Sequence, residues 1–319
     1  MRKALIKLLL RTLPVVCVFA VATPSLATEN GSTHYVPGAI ATLIDLAPTQ
    51  PGWVAETAYL HYEADASASR RLPVAGEVVA GLNARMDALL FGGFYTLDQT
   101  VLGARYSAGG FLPYVWMDVK GRIDTPRRSI SRSDSVSGIG DIILLPAMLA
   151  WEKDYWQFNA LLPIYAPSGR YKEGRLANTG LNYWTFDPTV GVSYNNDQNG
   201  FNAALHTGLS FNTENSETDY QSGNQWHLEA SLQQLLPLGP GFLGVGTEGF
   251  YLTQISGDSG AGAVNGDFKG HTAGVGPVLN YFLPGSNGNL IAELRWLPEL
   301  SVKRRLEGDY VWAKIVYQF

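Results

Sequence analysis

The sequence predicts an all-β protein, a single-chain antiparallel transmembrane β-barrel of about twelve strands. Apolar residues occur in short alternating blocks punctuated by 35 glycines and 16 tyrosines, a composition that suits strands and turns. The connections between these blocks are alternately long and short. Outer-membrane barrels have this arrangement, with short periplasmic turns, long extracellular loops and an even number of strands. A soluble sandwich has no reason to sort its loops by length.

Twelve segments have the length and composition of barrel strands. They cover residues 52–64, 76–97, 101–122, 137–152, 155–166, 181–195, 200–213, 223–236, 242–256, 268–283, 289–301 and 308–319. The predicted long loops include ADASASRRLPVA, DTPRRSISRSDS and PSGRYKEGRLANTG, whereas DQT, EKD and LGPG are short turns. Each segment exceeds the roughly 9 to 11 residues that cross a bilayer at a tilt, so we expect the strands to project beyond it.

Residues 1–27 have the pattern of a secretory signal peptide. Arg2, Lys3, Lys7 and Arg11 precede an apolar stretch that ends in small residues, and we expect cleavage near Ala27. Removing these four basic residues from the 23 in the chain leaves 19 against 28 acidic residues, a net charge of −9. This acidic balance disfavours nucleic-acid binding. The single cysteine also lies in this segment, so the mature chain has no disulfide or thiolate site.

The rest of the chain divides into two parts. Residues 28–51 contain no segment of barrel length, and we expect a periplasmic arm or a small plug that enters the lumen, while residues 52–319 form the barrel. Apolar residues alternate along the last strand, which ends on Phe319. This ending resembles the C-terminal signal read by the barrel assembly machinery. The expected location is the outer membrane of a Gram-negative bacterium.

Alternation assigns a set of ionisable side chains to the lumen. In 200–213 and 268–283 one face is apolar and the other largely polar, as lipid outside and a polar lumen require. The candidate lumen-lining residues are Arg85, Asp87, Asp187, His206, His227, Glu229, Glu248, Glu293, Arg295 and Lys314. They line a permeation path that selects solutes, or they form an internal ion-pair network that fills a narrow lumen. The first three strands alternate less clearly.

A second set of cations lies on the long-loop side. These residues are Arg127, Arg128, Arg170, Lys172, Arg175, Lys303, Arg304 and Arg305. If that side faces outward, we expect them to meet the phosphates of lipopolysaccharide, with ordinary loop solvation as the alternative. Nucleotide binding is disfavoured, because PSGRYKEGRLANTG matches neither phosphate-loop pattern and precedes a strand instead of a helix.

The sequence offers little support for an enzyme. Some twelve-stranded barrels are phospholipases with a serine and a histidine close together on one strand, but no serine stands two positions after His206, His227 or His271. The G-x-S-x-G elbow and HExxH metal spacing are also absent from the sequence. No cofactor or metal is expected.

Three segments resemble one family of outer-membrane proteins. They are HYVPG at 34–38, SGIGDIILLPAMLAW at 137–151 and LPIYAPSGRYKEGRLANTGLNYWTFDPTVGVSYN at 162–195. The sequence is similar in these segments to the phenol meta-pathway degradation family, and the likeness extends through most of the mature chain. The resemblance implies an outer-membrane barrel that is often encoded beside aromatic catabolism and is described as a transporter, with no established catalytic residues.

Together these observations predict a channel for passive uptake of small, hydrophobic or aromatic compounds. The alternatives are a structural or lipopolysaccharide-binding barrel with a plugged lumen and an outer-membrane lipid-modifying enzyme. The expected partners are outer-membrane lipid and lipopolysaccharide, a small-molecule cargo and the barrel assembly machinery.

Overall fold

The computed structural model describes residues 32–66, 71–74, 77–125, 128–263 and 269–319. Of residues 71–74, 77–80, 122–125 and 128–130 only the backbone is described. The predicted signal peptide and the first residues of the predicted arm therefore lie outside the described residues.

The described chain forms sixteen strands and one short 3-10 helix, Leu43–Asp45. The strands are β1 (Gly52–Asp65), β2 (Arg71–Val74), β3 (Glu77–Val101), β4 (Ala104–Thr125), β5 (Arg128–Ile139), β6 (Ile142–Lys153), β7 (Trp156–Leu161), β8 (Ile164–Ala166), β9 (Thr185–Phe186), β10 (Thr189–Asn196), β11 (Phe201–Asn212), β12 (Gln225–Leu238), β13 (Gly241–Gln254), β14 (His271–Gly285), β15 (Gly288–Lys303) and β16 (Glu307–Gln318).

These strands close into an antiparallel barrel. β1 pairs with β16 on one side and with β3 on the other, and pairing continues around the sheet through β4. β5 and β6, β7 and β8, and β9 and β10 each make one crossing, while β2 pairs with β3 as an extension of one hairpin. The described strands thus make twelve crossings, and the predicted twelve-stranded barrel is confirmed.

Prolines interrupt neighbouring crossings. Pro163 separates β7 from β8, and Pro188 separates β9 from β10, because proline has no N–H to donate to the ladder. The register of the two crossings nevertheless continues across the prolines. Leu161 pairs with Thr189, and three residues further along each strand Ile164 pairs with Phe186. The interruptions therefore leave the barrel closed.

Two predicted long loops are wrong in part. ADASASRRLPVA contains β2, and most of DTPRRSISRSDS belongs to β4 and β5, which pair from Tyr114 with Ile139 to Thr125 with Arg128. Polar serines and arginines form this extension because backbone pairing, and not a buried face, holds it together. The loop between β8 and β9, residues 167–184, is long as predicted.

The two ends of the barrel differ. Short turns at 154–155, 197–200, 239–240 and 286–287 lie at one end, here called the short-turn end, and the chain terminates there with the Phe319 amide donating to the Trp53 carbonyl at 2.9 Å. The opposite end, called the long-loop end, carries residues 167–184, 213–224, 255–263 and 269–270.

The outer face of the barrel is apolar around the middle of the strands. Its exposed side chains include Leu205, Leu232, Val245, Val275, Leu279, Leu294 and Ile315. Exposed Trp53 and Trp156 stand near the short-turn end, and Trp184 stands at the long-loop end. An apolar band between aromatic residues is the surface that a bilayer requires of a barrel. Within the described residues, no helix is long and apolar enough to span a membrane.

Placing a charge in this band should destabilise the barrel. Leu279 is 47% exposed on β14, with Val245 and Leu294 opposite it on the neighbouring strands. We expect Leu279→Arg to lower the free energy of unfolding in lipid vesicles by about 2–4 kcal/mol, because the guanidinium would face hydrocarbon. Leu300→Arg, close to the end of β15, is the matched control and should cost about 1 kcal/mol or less. Equal losses for the two variants would argue against a bilayer around Leu279.

Candidate functional site

The N-terminal segment, residues 32–51, lies inside the barrel. Strand β12 holds it with a column of inward-facing polar side chains spaced two residues apart, His227, Glu229, Ser231 and Gln233. Glu229 accepts hydrogen bonds from the Gly38 amide at 2.8 Å and from the Tyr35 hydroxyl. Gln233 accepts one from the Leu43 amide at 3.2 Å. Because alternate side chains of a strand face the same side, β12 supplies hydrogen-bond acceptors to the backbone amides of a segment that pairs with no strand.

A buried ion cluster holds the segment at Asp45. Arg295 contacts three carboxylates, Asp45 and Glu248 at 2.8 Å each and Glu293 more closely. Lys314 forms a second ion pair with Asp45. The five side chains are at most 5% exposed. Asp45 is the member that the N-terminal segment supplies, so the cluster joins the segment to β15 and β16.

Two groups of the segment have shifted pKa values. Burial, and then the charge and hydrogen bond of Glu229, raise the pKa of the Tyr35 hydroxyl well above 10, so Tyr35 remains a donor. Burial alone would raise the pKa of Asp45. The charges of Lys314 and Arg295 outweigh that effect and lower the pKa of Asp45 from 3.8 to about 2.

Gly38 shows how closely the segment packs. Its backbone φ of +85° is one that residues with a side chain rarely adopt. A Cβ at this position would also come within 2.5 Å of the Trp312 indole nitrogen. That nitrogen donates to the Pro37 carbonyl at 2.9 Å. Glycine is therefore needed at this position for both space and backbone conformation.

A long loop folds over the N-terminal segment. Asp141, at the interruption between β5 and β6, bonds to His34 at 2.9 Å and accepts the Gly169 and Leu181 amides at 2.8 and 2.7 Å. Both amides belong to the loop 167–184. Leu176 of the same loop packs in an apolar cluster with side chains of the opposite wall, Leu82, Val119 and Leu306 among them. The loop therefore crosses the barrel interior at the long-loop end.

The interior has a polar and an apolar half. Strands β7 to β15 contribute most of the buried polar side chains, and the segment bonds mainly to that half. The inward-facing side chains of β1, β3, β4 and β6 are largely apolar. They include Ala58, Leu60, Leu82, Ala84, Met86, Ala88, Leu90, Phe94, Val115, Met117, Val119, Ile143 and Leu145.

Three contiguous cavities lie between the segment and this apolar half. The outer cavity, toward the long-loop end, measures about 160 Å³, the middle cavity about 180 Å³ and the inner cavity about 140 Å³. Met86 and Met117 line both the outer and the middle cavity. Leu90 and Trp312 line both the middle and the inner one. The cavities therefore follow one another along the barrel.

The structure places eight of the ten candidate lumen residues inside the barrel. These are Asp187, His206, His227, Glu229, Glu248, Glu293, Arg295 and Lys314, all at most 3% exposed. All but His206 are bonded to each other or to the N-terminal segment, including His227 to Asp187 at 2.9 Å. His227 also stacks on Tyr35 with ring centroids 3.7 Å apart.

Arg85 and Asp87 were predicted to face the lumen, and this is wrong. In β3 the even-numbered residues face inward, and Arg85 and Asp87 lie on the outer surface. There Asp87 accepts hydrogen bonds from Tyr59 at 2.5 Å and pairs with His61 at 2.8 Å and Arg85 at 3.2 Å. The lumen on this side is apolar, so polarity does not identify the inner face.

Seven of the eight predicted lipopolysaccharide-facing cations divide into three groups. The side chains of Arg127 and Arg128 lie outside the described part of the chain. Arg170, Lys172, Lys303 and Arg304 are exposed at the long-loop end. Arg175 forms a bidentate ion pair with Asp134, and the hydrogen bond and charge of Asp134 raise the pKa of Arg175.

The outward assignment of Arg305 is wrong. Arg304 has a φ of +56°, and this left-handed turn directs Arg305 inward, where it is 7% exposed and lines the outer cavity.

Asp45 and the apolar lining were not identified from the sequence. The weak alternation of the first three strands was the available signal, because a strand with lipid outside and an apolar cavity inside cannot alternate. In the part of the chain that the structure describes, no cluster of metal-ligating side chains occurs.

Removing the Asp45 charge should loosen the N-terminal segment. Asp45→Asn leaves Arg295 and Lys314 buried without their shared counter-ion, a change that costs about 3–5 kcal/mol when one partner of a buried pair is lost. Hydrogen–deuterium exchange of residues 38–45 should become faster while the strand amides stay protected. Asp197→Asn, in an exposed turn, is the control. Unchanged exchange in the segment would contradict the role of the cluster.

Docking of the N-terminal segment inside the barrel should also depend on pH. Because docking lowers the pKa of Asp45 from 3.8 to about 2, the contribution of its carboxylate is complete above about pH 4 and is lost as the pH falls toward 2. Ion conductance in planar bilayers should therefore rise across that window in the native chain. Asp45→Asn should conduct more at neutral pH and respond less to acid. Conductance that is identical in both chains throughout would contradict this link.

The comparisons with known proteins agree with the fold. The COG4313 outer membrane channel from Pseudomonas putida F1 has a TM-score of 0.66 at 15% identity, covering 89% of this chain and 100% of that chain. The β domain of the Bordetella autotransporter BrkA has a TM-score of 0.50 at 12% identity, covering 85% of this chain and 100% of that chain. Both similarities concern the barrel fold. No curated protein sequence matches the chain.

The family comparison confirms the resemblance seen in the sequence. A family model described as "Putative MetA-pathway of phenol degradation" matches residues 69–315. The match extends from the first barrel hairpin into the last strand. The protein belongs to this family.

Proposed function

We propose that the protein is an outer-membrane channel through which small, largely apolar molecules of aromatic-ring size pass without energy coupling. The observation that carries the proposal is the row of three cavities along the apolar half of the barrel. An engineered protein cavity of about 150 Å³ with an apolar lining holds one benzene molecule. Each of the three cavities is of that size, so a single aromatic ring fits each step of the path.

The lining supports selection by polarity. A sugar or amino acid entering the path would leave water for walls of Leu, Met, Ala and Val side chains. Each polar group that loses its water there without a new partner costs about 1–3 kcal/mol. An aromatic ring pays no such penalty and gains from leaving water. The proposed cargo class is therefore small, weakly polar aromatic compounds, in agreement with the phenol degradation of the family description.

The N-terminal segment acts in this proposal as a fixed partition. It covers the polar half of the interior, where Glu229, Glu248 and Arg295 would otherwise face water. With the segment docked, the space left is narrow and mostly apolar, with Asp45, Glu56 and Lys314 lining the inner cavity. Ions and large hydrated solutes are excluded, and the path remains suited to apolar molecules.

The same proposal includes the location and surface partners. A signal peptide cleaved near Ala27 and the apolar outer band suit an outer-membrane protein whose long-loop end faces outward. The exposed cations Arg170, Lys172, Lys303 and Arg304 would then meet lipopolysaccharide phosphates. The exposed terminal residue Phe319 would be available to the barrel assembly machinery.

Filling the middle cavity tests the path directly. Ala88 is buried and lines that cavity, so Ala88→Trp places a bulky side chain across it. We expect initial uptake of ¹⁴C-phenol, at low concentration, to fall to the level of cells without the protein. Ala55→Trp makes the same change on the outer face of β1 beside Trp53 and should leave uptake unchanged.

Both variants are compared in cells with an intact lipopolysaccharide layer and equal amounts of folded barrel, verified by heat-dependent gel migration. Native uptake with Ala88→Trp would contradict a path through the middle cavity. Uptake that does not depend on the protein at all would contradict the channel function.

A further inference from the structure

The outer cavity contains one cationic group in apolar surroundings. Its lining includes Tyr62, Leu82, Met117, Leu306 and the guanidinium of Arg305. Arg305 is only 7% exposed. Among the residues that the structure describes, none forms a hydrogen bond or ion pair with it. A guanidinium has five N–H donors, and those of Arg305 have no acceptor among the described residues.

Glu299 is a negative charge that acts on Arg305. Its carboxylate already accepts hydrogen bonds from Thr272 at 2.7 Å and the Gly308 amide at 2.8 Å. The hydroxyls of Tyr62 and Tyr310 donate to it at 3.1 and 3.3 Å. Glu299 is therefore held by four protein donors. It influences Arg305 through its charge but leaves the guanidinium donors free for a ligand.

Two aromatic rings stand beside this cation. Tyr62 and Tyr310 are stacked with centroids 4.3 Å apart, and both line the outer cavity. Met86 and Met117 provide polarizable thioethers on the wall opposite the loop residue Leu176. The site thus combines an apolar space of one-ring size with a planar, bidentate hydrogen-bond donor.

The other basic groups along the path are already paired. His34, in the middle cavity, bonds to Asp141, and Lys314, in the inner cavity, pairs with Asp45. Arg305 differs from them because its partner is not supplied by the described chain. A carboxylate is the planar acceptor that matches a guanidinium in two parallel hydrogen bonds.

We propose that the outer cavity is a binding site for small aromatic carboxylates, with the ring among Tyr62, Met86 and Met117 and the carboxylate on Arg305. This inference rests on the proposed function and specifies its first binding step. Arg305 recognises the anionic group of the cargo, and the apolar walls recognise the ring. Arg305 is thus a specificity-determining residue.

The test compares a carboxylate with a neutral molecule of the same shape. ¹⁹F NMR of the purified, folded full-length chain in detergent measures the dissociation constants of 4-fluorobenzoate and 4-fluorobenzyl alcohol. We expect Arg305→Gln to weaken 4-fluorobenzoate binding at least about tenfold, because two charge-assisted hydrogen bonds are lost. Binding of the alcohol should change by less than about twofold by the same reasoning. Lys303→Gln, an exposed neighbour, should bind both ligands as the native chain does.

A second variant keeps the inference testable if Arg305→Gln does not fold. Ala84→Phe fills the outer cavity and leaves Arg305 in place, so it should abolish binding of both ligands. If Ala84→Phe binds 4-fluorobenzoate normally, or Arg305→Gln binds it as tightly as the native chain, Arg305 serves only as a countercharge to Glu299 and the inference is overturned.

The outcomes also separate this inference from the proposed function. Native phenol uptake with no preference for 4-fluorobenzoate over the alcohol overturns the carboxylate site and leaves the channel. Absence of protein-dependent uptake of phenol and of benzoate overturns both.

Discussion

The structure depends on one buried interaction, the pairing of Asp45 with Arg295 and Lys314. Two cations project from neighbouring strands into an interior that already holds Glu248 and Glu293, and a third carboxylate is brought to them by the N-terminal segment. Breaking such a set by removing one member is costly, because the remaining charges stay buried. The segment is therefore held in place as firmly as a part of the wall. Its path then determines which space in the barrel is left.

That space follows from a difference between the two halves of the wall. Strands β7 to β15 face the segment with side chains that bond to its backbone, as Glu229 does with Gly38. Strands β1, β3 and β4 face it with Leu60, Ala88 and Val115, which offer no hydrogen bonds. The segment packs closely where it finds polar partners and leaves cavities where it does not. The apolar path is thus a consequence of how the segment is bound.

The sequence was sufficient for the barrel and for one half of its interior. In β11 to β16 the lipid side is apolar and the inner side polar, so period-2 alternation located Glu229, Glu293 and Arg295 correctly on the inner face. In β1, β3 and β4 both sides are apolar. Polar side chains there occur on both faces, with Glu56 inside and Asp87 outside, which explains why Arg85 and Asp87 were assigned to the wrong face.

Other features depend on contacts that no local pattern reports. Asp45 lies about 250 residues from Arg295 in the chain, and nothing in its neighbourhood indicates an ion pair at that distance. Arg305 belongs to a basic run, and only the left-handed turn at Arg304 separates it from its exposed neighbours. Such positions are decided by tertiary packing.

The location of a bound apolar molecule tests the account most directly. Crystals of the full-length protein exposed to bromobenzene would reveal bromine by its anomalous scattering. The account predicts bromine peaks between the N-terminal segment and strands β1, β3 and β4, near Met86, Leu90 or Phe94. Bromine found on the outer face alone, with none along that path, would contradict a route for aromatic molecules through the barrel.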